Sequence, residues 1–238
     1  MRPTEQIYSN YTDEDFKVWN ILYNRQLAFI EDKVASEFLQ ALDVIQFSAE
    51  SIPNFNEINS ILSNLTGWNI ITVPNLAPAE LFFTHLANRR FTATCWLRAL
   101  EQIDYLEEPD MFHDVFAHTP LLSNKEYTDF FQKMGQRALK VIHDPAKVTM
   151  LQRLYWFTIE FGLIRSNGQT KIYGAGIISS KGETAHAMSK DSTKLEYDAV
   201  KIMNKEFRTD TIQDTYYIID SFEQLSASFS VIDDLLFN

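Results

Sequence analysis

Cysteine is almost absent from this sequence, and long apolar runs are missing altogether. The one cysteine, Cys95, cannot form a disulfide within the chain, and such usage is typical of a reducing compartment. The first residues, MRPTEQIYSN, contain no apolar stretch of the kind that a secretory signal requires. No segment approaches the roughly 20 apolar residues of a transmembrane helix. These absences predict a cytoplasmic protein that does not associate with membranes.

Basic residues are also scarce relative to acidic ones. The sequence has 21 Lys and Arg against 32 Asp and Glu, a formal net charge of −11. Because nucleic acids and anionic membranes bind basic surfaces, this balance argues against both as partners. Hydrophobic residues make up 45% of the sequence, which excludes a disordered chain. No repeat, linker or shift in composition divides the chain, so we expect one domain over residues 1–238.

The apolar residues that are present recur mostly at helical spacing. They predict a helix after a capping box on Thr12 and Asp15, a helix with Pro78 at its first position, and a helix from about Phe222. Further helices are predicted over residues 33–45, 55–65, 125–141, 145–164 and 194–204. Extended segments are predicted over residues 68–73, 91–97, 171–180 and 214–220. The sequence therefore predicts a mainly α-helical protein with a few short β-strands.

Several boundaries carry their own signals. Gly67 is expected to end the helix over residues 55–65 in the left-handed conformation. Asp144 is expected to cap the helix over residues 145–164. The pair Asn167-Gly168 predicts a turn.

Two of the five histidines, His113 and His118, lie in the stretch EPDMFHDVFAHTP. Their spacing of five residues corresponds to about 140° of an α-helix, so they are not expected to share a face of one. Pro120 disfavours helical backbone at Thr119, so the helix is expected to end near His118 and to let its ring turn inward.

Glu160 is the one charged residue in the apolar run LYWFTIEFGLI. If this run is a helix, the same-face neighbours of Glu160 are all apolar: Trp156, Phe157, Leu163 and Ile164. A carboxylate in such surroundings needs a cation, a metal ion or strong hydrogen bonds, or it becomes protonated.

Two histidines and one carboxylate are the ligand set of non-haem Fe(II) oxygenases, in which open positions remain for O₂ and a cosubstrate. The alternatives are structural histidines, a glutamate paired with Arg or Lys, and a zinc ion on the same donor atoms. Asp110 and Asp114 flank His113, where they would orient an imidazole, hold a water, or lie in solvent at the start of a helix. The residues alone leave these alternatives open.

The run EPDMFHDVFAHTPLL, followed by YWFTIEFGL and YGAGIISSKGE, resembles the pterin-dependent aromatic amino acid hydroxylases. The resemblance continues through TGWNIITVP, FFTHLANRRFTATCWLR and DTYYIIDSFEQL, about residues 11–230, and is closest to the short bacterial members that hydroxylate phenylalanine. It implies a single catalytic domain, a helical basket with short strands around iron. It also implies a monomer, because the sequence is too short to include the regulatory domain and the tetramerisation tail that human-type relatives carry.

The resemblance implies that His113, His118 and Glu160 bind Fe(II). It implies a tetrahydropterin, either tetrahydrobiopterin or a bacterial equivalent, against an aromatic residue and its adjoining loop: Phe82, Asn75, Ala77 and Ala79. Asp114 would reach the pterin and the iron-bound water, and Tyr155 would point towards the iron. Ala77 replaces a bulkier aliphatic residue of the family, and Ala117 and Thr119 depart from a glycine and a valine.

For the substrate, the resemblance implies that Arg98 holds the amino-acid carboxylate through its planar fork. Leu106 departs from a hydroxyl residue that assists this clamp in relatives. Trp156 would pack on the substrate ring, and the pocket would be lined by Gly176, Ser179 and Ile218.

The implied activity is conversion of L-phenylalanine to L-tyrosine by O₂, with the pterin supplying two electrons, as in phenylalanine catabolism or tyrosine biosynthesis. Ile218 stands where tyrosine hydroxylases carry an acid, and Trp156 where tryptophan hydroxylases have a smaller aromatic residue. Both positions favour phenylalanine. The alternatives are a tyrosine or tryptophan hydroxylase on the same scaffold, and a relative that binds pterin and amino acid without turnover.

Overall fold

The computed structural model describes residues 2–104, 106 and 108–238. Helices dominate it, as the periodicity predicts. The α-helices are α1 (Asp13–Ile30), α2 (Ser36–Val44), α3 (Phe55–Leu65), α4 (Ala79–Ala87), α5 (Lys125–Lys140), α6 (Pro145–Tyr155), α7 (Ala175–Ile178), α8 (Lys181–Met188), α9 (Ala199–Asn204), α10 (Phe222–Ala227) and α11 (Phe229–Phe237). No helix of these ranges is both long enough and apolar enough to span a bilayer.

Two further helices are π-helices, and six short strands form two sheets. The π-helices are π1 (Phe112–His118) and π2 (Trp156–Glu160). The strands are β1 (Asn69–Thr72), β2 (Arg90–Ala93), β3 (Gly162–Ser166), β4 (Gln169–Ile172), β5 (Thr193–Glu196) and β6 (Thr215–Ile219). The fold is therefore mainly α with a few short β-strands, as predicted.

Several helix ends follow the local signals in the sequence. At the start of α1, the Thr12 hydroxyl accepts from the amide of Asp15, whose carboxylate accepts from the amide of Thr12 at 2.8 Å. Helix α3 has the predicted bounds, and Gly67 follows it at φ +77°, where a side chain would be strained. The Asp144 carboxylate caps α6. These boundaries are confirmed.

The larger sheet has the strand order β4-β3-β6-β5. Strands β3 and β4 form an antiparallel hairpin, and β6 runs parallel to both β3 and β5. The hairpin turn is the predicted pair Asn167-Gly168, whose φ angles of 51° and 75° suit a tight two-residue turn. In the smaller sheet, β1 and β2 pair in parallel. Strand β6 is buried along its whole length, so it forms the centre of the larger sheet.

The predicted helix over residues 145–164 is wrong beyond Glu160. The chain leaves the helix there and continues as β3, in which Leu163 and Ile164 pair with Ile218 and Ile219 of β6. A short apolar run fits a buried helix and a buried strand equally well, so its pattern does not distinguish them. The pairing with a strand some 55 residues later in the chain decides the outcome. Leu163 and Ile164 are therefore not helical neighbours of Glu160.

Other short elements also depart from prediction. The extended segment over residues 171–180 is a strand only to Ile172, after which α7 and α8 follow. The helix over residues 194–204 divides into β5 and α9, because β5 pairs with β6. Strand β2 ends at Ala93 rather than at residue 97, and Pro78 precedes the first residue of α4 instead of occupying it. Tertiary pairing outweighs weak local propensity in elements this short.

An aromatic cluster fixes π1 in place. Phe112 and Phe116 stack with ring centroids 4.7 Å apart. Trp19 contacts Phe112 edge-on at 6.0 Å, and Tyr23 and Phe38 contact Phe116 at 5.3 and 5.9 Å. Each such pair contributes about 0.5–1.5 kcal/mol beyond the burial of its area. With these rings buried on one side, the polar residues of π1 face the opposite side.

Candidate metal centre and active site

Both segments that carry the predicted ligands are π-helices. In a π-helix the hydrogen bonds join residues five apart. The Phe161 amide, for example, donates to the Trp156 carbonyl at 3.0 Å. Residues five apart therefore lie one above the other. For this reason His113 and His118 share a face, and the expectation from α-helical geometry that they would not is wrong. No inward swing at a helix end is needed.

The side chains of these two histidines and Glu160 converge. The Nε2 atoms of His113 and His118 are 3.3 Å apart. His118 Nε2 lies 3.1 Å from Glu160 Oε1, and His113 Nε2 lies 3.6 Å from Glu160 Oε2. All three donor atoms fall within 4.8 Å of one another, the one such group in the described part of the chain. Two imidazole nitrogens and a carboxylate this close are a donor set that fits a divalent metal ion.

A serine hydroxyl sets the tautomer of His113. Ser179 Oγ lies 2.8 Å from His113 Nδ1 and donates its own hydrogen to the carbonyl of Ala175 at 2.9 Å. Because that hydrogen is engaged, the oxygen accepts from Nδ1–H. The lone pair of His113 is then on Nε2, the nitrogen that faces His118 and Glu160. Ser179 thus lies behind a predicted ligand, a role that the sequence does not indicate.

Electrostatics keep Glu160 ionised. Burial raises the pKa of this carboxyl group, but the charge and hydrogen bond of His118, the charge of His113 and a hydrogen bond from Tyr155 lower it more, to about 2. The pKa of Tyr155 is raised well above 10 by burial and by the negative charge of Glu160, so its hydroxyl keeps its proton. The site therefore presents an anionic carboxylate and a neutral phenol side by side.

Asp114 is held by the chain that follows β2. Its Oδ2 accepts from the amide and from the hydroxyl of Thr94, both at 2.8 Å. Burial raises the pKa of Asp114, although the two histidines and Thr94 act in the opposite direction. Asp114 is therefore a fixed side chain in the site and not a solvated acid of a helix end.

These residues line one cavity of about 320 Å³. Its walls contain the three metal-ligand candidates, the four residues expected at the pterin, and Asp114, Tyr155 and Trp156. Phe82 meets Tyr155 edge-on with centroids 5.1 Å apart. The volume and the mostly apolar lining suit a small heterocyclic ligand. The structure thus brings ten of the fourteen predicted site residues together: His113, His118, Glu160, Asn75, Ala77, Ala79, Phe82, Asp114, Tyr155 and Trp156.

Arg98 does not line this cavity; it makes a two-pronged ion pair with Asp110. Arg98 Nε and Nη2 each donate to a carboxylate oxygen at 2.8 Å, and the Arg98 amide donates to Oδ2 at 3.0 Å. Asp110 is fully buried. Asp110 therefore orients the guanidinium group, and its carboxylate also accepts a long hydrogen bond of 3.4 Å from the backbone amide of His113.

Gly176, Ser179 and Ile218 also lie outside the cavity lining. A Cβ atom on Gly176 would come within 2.8 Å of the Phe161 ring and 3.1 Å of the Glu160 carbonyl, so glycine lets this turn pack behind the ligand. Ile218 is buried in β6. Contact of these three residues with a substrate stays a prediction.

The sequence matches the family of biopterin-dependent aromatic amino acid hydroxylases over residues 3–232. The chain belongs to this family. Among the hydroxylases, the phenylalanine-4-hydroxylase of Ralstonia nicotianae is 48% identical over 222 residues, 93% of this chain and 71% of the relative. That of Chromobacterium violaceum is 44% identical over 221 residues, 92% of this chain and 74% of the relative. The predicted resemblance is confirmed.

Hydroxylase structures show the same fold. The C. violaceum phenylalanine hydroxylase with bound oxidised Fe(III) has a TM-score of 0.93 at 42% identity, covering 99% of this chain and 85% of that chain. The same enzyme with iron(III) and the oxidised cofactor 7,8-dihydrobiopterin has a TM-score of 0.91 at 43% identity, covering 99% and 86%.

Several residues of this hydroxylase site were not found from the sequence. The cavity wall also contains four residues that were not predicted and lie outside the runs that carry the resemblance: Leu76, Gln152, Phe207 and Thr209. Thr94, which fixes Asp114, and Gln213, which binds Trp156, are single polar residues in ordinary surroundings. Only their position in the folded chain distinguishes them.

Proposed function

We propose that the chain is an iron- and tetrahydropterin-dependent monooxygenase that converts L-phenylalanine to L-tyrosine with O₂. The observation that carries this proposal is the convergence of His113, His118 and Glu160 on the wall of one cavity, in a member of the hydroxylase family. The relatives named above are phenylalanine-4-hydroxylases, and the C. violaceum enzyme binds iron and dihydrobiopterin.

The metal ligands are His113 and His118 through Nε2 and Glu160 through its carboxylate. Two neutral donors and one anion leave Fe(II) with a charge of +1 and with positions for other ligands. When bound, iron and the reduced pterin together supply the activation of O₂, with two electrons from the pterin. Ser179 keeps the lone pair of His113 on Nε2, and the hydrogen bond from Tyr155 favours the anionic form of Glu160.

The pterin site is the aromatic side of the cavity. Phe82 offers a flat surface for a heterocycle, worth about 0.5–1.5 kcal/mol beyond burial. Asn75, Ala77 and Ala79 form the adjoining wall. Asp114 would accept from an N–H group of the pterin through Oδ1, because its Oδ2 is engaged by Thr94. Tyr155, whose hydroxyl stays protonated, lies between Phe82 and the metal ligands as a hydrogen-bond donor.

The substrate is held at its carboxylate by Arg98. Its pairing with Asp110 uses Nε and Nη2, and Nη1 makes no hydrogen bond to any residue that the structure describes. We propose that Nη1 donates to the ligand carboxylate, while the two-pronged pair with Asp110 fixes the orientation of the guanidinium group. Trp156 forms the aromatic wall against which the substrate ring packs. The resemblance supports a role in substrate binding for Gly176, Ser179 and Ile218, which lie outside the cavity lining.

The enzyme acts as a monomer in the cytoplasm, as one catalytic domain over residues 1–238. The single, buried Cys95 supports a reducing compartment, and the acidic surface supports the absence of nucleic acid among its partners. Its place is in phenylalanine catabolism or tyrosine synthesis. Sedimentation equilibrium tests the oligomeric state.

The decisive experiment is an anaerobic Fe(II) titration followed by addition of O₂, tetrahydropterin and one amino acid at a time. We expect tyrosine from phenylalanine, dependent on both iron and pterin. We also expect kcat/KM for phenylalanine to exceed that for tyrosine by at least about tenfold, because an apolar pocket leaves the extra hydroxyl unpaired. Equal or faster formation of dihydroxyphenylalanine or hydroxytryptophan would identify another hydroxylase, and binding without any product would identify a non-catalytic relative.

A further inference from the structure

Gln213 makes an unusual set of side-chain contacts next to the cavity. This residue is buried, and its Oε1 accepts from the indole N–H of Trp156 at 2.9 Å. Its Nε2 donates to the carbonyls of Arg208 and Thr211 at 2.8 and 2.9 Å. The indole N–H is only a donor and a carbonyl is only an acceptor, so the amide can be oriented in one way alone. Every polar atom of this side chain is therefore committed.

The two partners of this amide form adjacent parts of the cavity wall. Trp156 lies in π2, and Phe207 stacks on its indole with centroids 4.7 Å apart and planes at 25°. Both rings line the cavity, as does Thr209 of the same loop. The hydrogen bonds from Gln213 to Arg208 and Thr211 hold that loop in the conformation that keeps Phe207 on the indole. One side chain thus joins π2 to the loop over residues 207–211.

The backbone of Gln213 is held in turn by residues of α8 and β6. Its backbone amide donates to Glu183 Oε1 at 3.0 Å, and the hydroxyl of Tyr216 donates to Glu183 Oε2 at 2.8 Å. Glu183 is buried in α8, and Tyr216 is buried in the central strand β6. The orientation of the indole therefore depends on the rigid core of the molecule through a short chain of hydrogen bonds.

We propose that Gln213 is a positioning residue for the hydroxylation reaction, which fixes Trp156 and the stacked Phe207 as the wall against which the substrate ring lies. This role rests on the proposed function, because it assumes that an aromatic ring binds there. Without the acceptor, the indole N–H is unpaired in a half-buried place, and the ring is no longer held in one orientation. The substrate ring then loses the fixed surface against which it packs, whereas the metal ligands and Asp114 keep their positions.

The test compares two substitutions that remove different halves of the amide. Gln213→Met keeps the size and removes both the acceptor and the donor. Gln213→Glu keeps an acceptor for the indole and removes the donor to the loop. Gln132→Met is the matched control, since Gln132 also bonds through both ends of its amide but lies outside the cavity lining. Thermal melting shows that each variant is folded, and Gln213→Asn, too short to reach the indole, replaces Gln213→Met if that variant does not fold.

We expect Gln213→Met to raise KM for phenylalanine about tenfold, with iron content and KM for the pterin unchanged, and we expect Gln213→Glu to recover part of that loss. In a Trp156→Phe background, which lacks the indole N–H, Gln213→Met should raise KM by less than in wild type, because only the two hydrogen bonds to the loop remain to be lost. An equal rise in KM in both backgrounds, a rise also caused by Gln132→Met, or an unchanged KM would overturn the proposal.

A spectroscopic measurement is independent of turnover. Ultraviolet resonance Raman spectra of the iron-loaded enzyme, taken as the difference between wild type and Trp156→Phe, report the hydrogen bonding of this indole N–H. The signal should show a hydrogen-bonded indole in wild type and in Gln213→Glu, and a free one in Gln213→Met. A hydrogen-bonded signal in Gln213→Met contradicts the role of Gln213. If the enzyme produces no tyrosine but the signal changes as expected, it is the proposed function that fails, and the contact between Gln213 and Trp156 stands.

Discussion

His113 shows how much of the site depends on a residue whose role the sequence does not reveal. Its Nδ1–H is held by Ser179, whose hydroxyl hydrogen is already engaged by Ala175. The ligand types could be predicted from the sequence because histidine and carboxylate are chemically distinctive and their runs resemble a known family. Ser179 was placed in the substrate pocket instead, since the contact that defines its position joins residues 66 apart in the chain.

Ser179→Ala is expected to weaken Fe(II) binding about 10- to 100-fold, the usual cost of losing the partner that orients a histidine ligand. The loss follows because His113 is then free to rotate and to change its tautomer. Anaerobic Fe(II) titration measures the effect. Ser192→Ala is the control, because Ser192 is a buried serine that donates to a carbonyl of its own segment, away from the metal-ligand candidates. Equal Fe(II) affinity in the two variants would show that Ser179 does not orient the ligand.

Arg98→Lys is expected to lower kcat/KM for phenylalanine by at least about tenfold while the iron content stays at the wild-type level. Lysine keeps the charge but has no planar fork, so it cannot reproduce the two-pronged pair with Asp110 and hold a further donor in a fixed direction for the substrate. Steady-state kinetics and iron analysis of the same preparation check this. Wild-type kcat/KM in the variant would mean that the carboxylate is held elsewhere.

At the scale of elements, caps and turns could be predicted and the π-helices could not. Capping residues act within three or four positions, so Thr12, Gly67 and Asp144 reveal their role in sequence. A π-helix has no composition of its own, and its extra residue per turn is accommodated by packing against other elements. The end of the helical run at Glu160 is likewise decided by the pairing of β3 with β6.

Gly162 marks the point where π2 turns into β3, and we expect Gly162→Ala to destabilise the fold by about 3 kcal/mol or more, the range of severe overpacking. A Cβ atom there would overlap the carbonyl of Thr158 and the ring of Tyr173, both of them buried. Chemical denaturation measures the free energy of unfolding. Gly182→Ala, inside α8 with no neighbour closer than 3.7 Å, should be neutral or stabilising by up to about 1 kcal/mol. Similar losses in both variants would show that close packing at Gly162 is not the cause.

Helix α11 is attached to α5 by a two-pronged ion pair between Asp233 and Arg137, at 2.8 Å for both hydrogen bonds. The hydrogen bond and charge of Arg137 lower the pKa of Asp233 below its ordinary value of 3.8. A lowered carboxyl pKa contributes stability above the unfolded value, and that contribution disappears as the pH falls through the folded value. Asp233→Asn should therefore cost about 0.5–1 kcal/mol at pH 6 and less at pH 3, which lies below the ordinary pKa of 3.8. Urea unfolding at both pH values measures this, and an equal cost at both would exclude the ion pair as the cause.

For the whole molecule, composition and resemblance predicted the fold class, and the family match confirms it over residues 3–232. Composition sufficed to exclude a disordered chain, because disorder depends on the total content of hydrophobic and charged residues and not on their order. The shape of the cavity could not be predicted, because its wall combines segments from residues 73 to 209 that meet only after folding. The roles of Phe207 and Gln213 could not be predicted for the same reason, because they depend on contacts that form only after folding.

The iron content of three variants, His113→Ala, His118→Ala and Glu160→Ala, measured together with tyrosine formation, decides whether the convergence of these side chains is a catalytic iron site. We expect wild type to bind one Fe(II) and to form tyrosine from phenylalanine with added tetrahydropterin. Each of the three variants should lose the iron and the activity together, while His143→Ala, an exposed histidine outside the site, should keep both. Tight, stoichiometric Fe(II) binding by any of the three variants, or tyrosine formation by wild type without iron, would contradict the assignment.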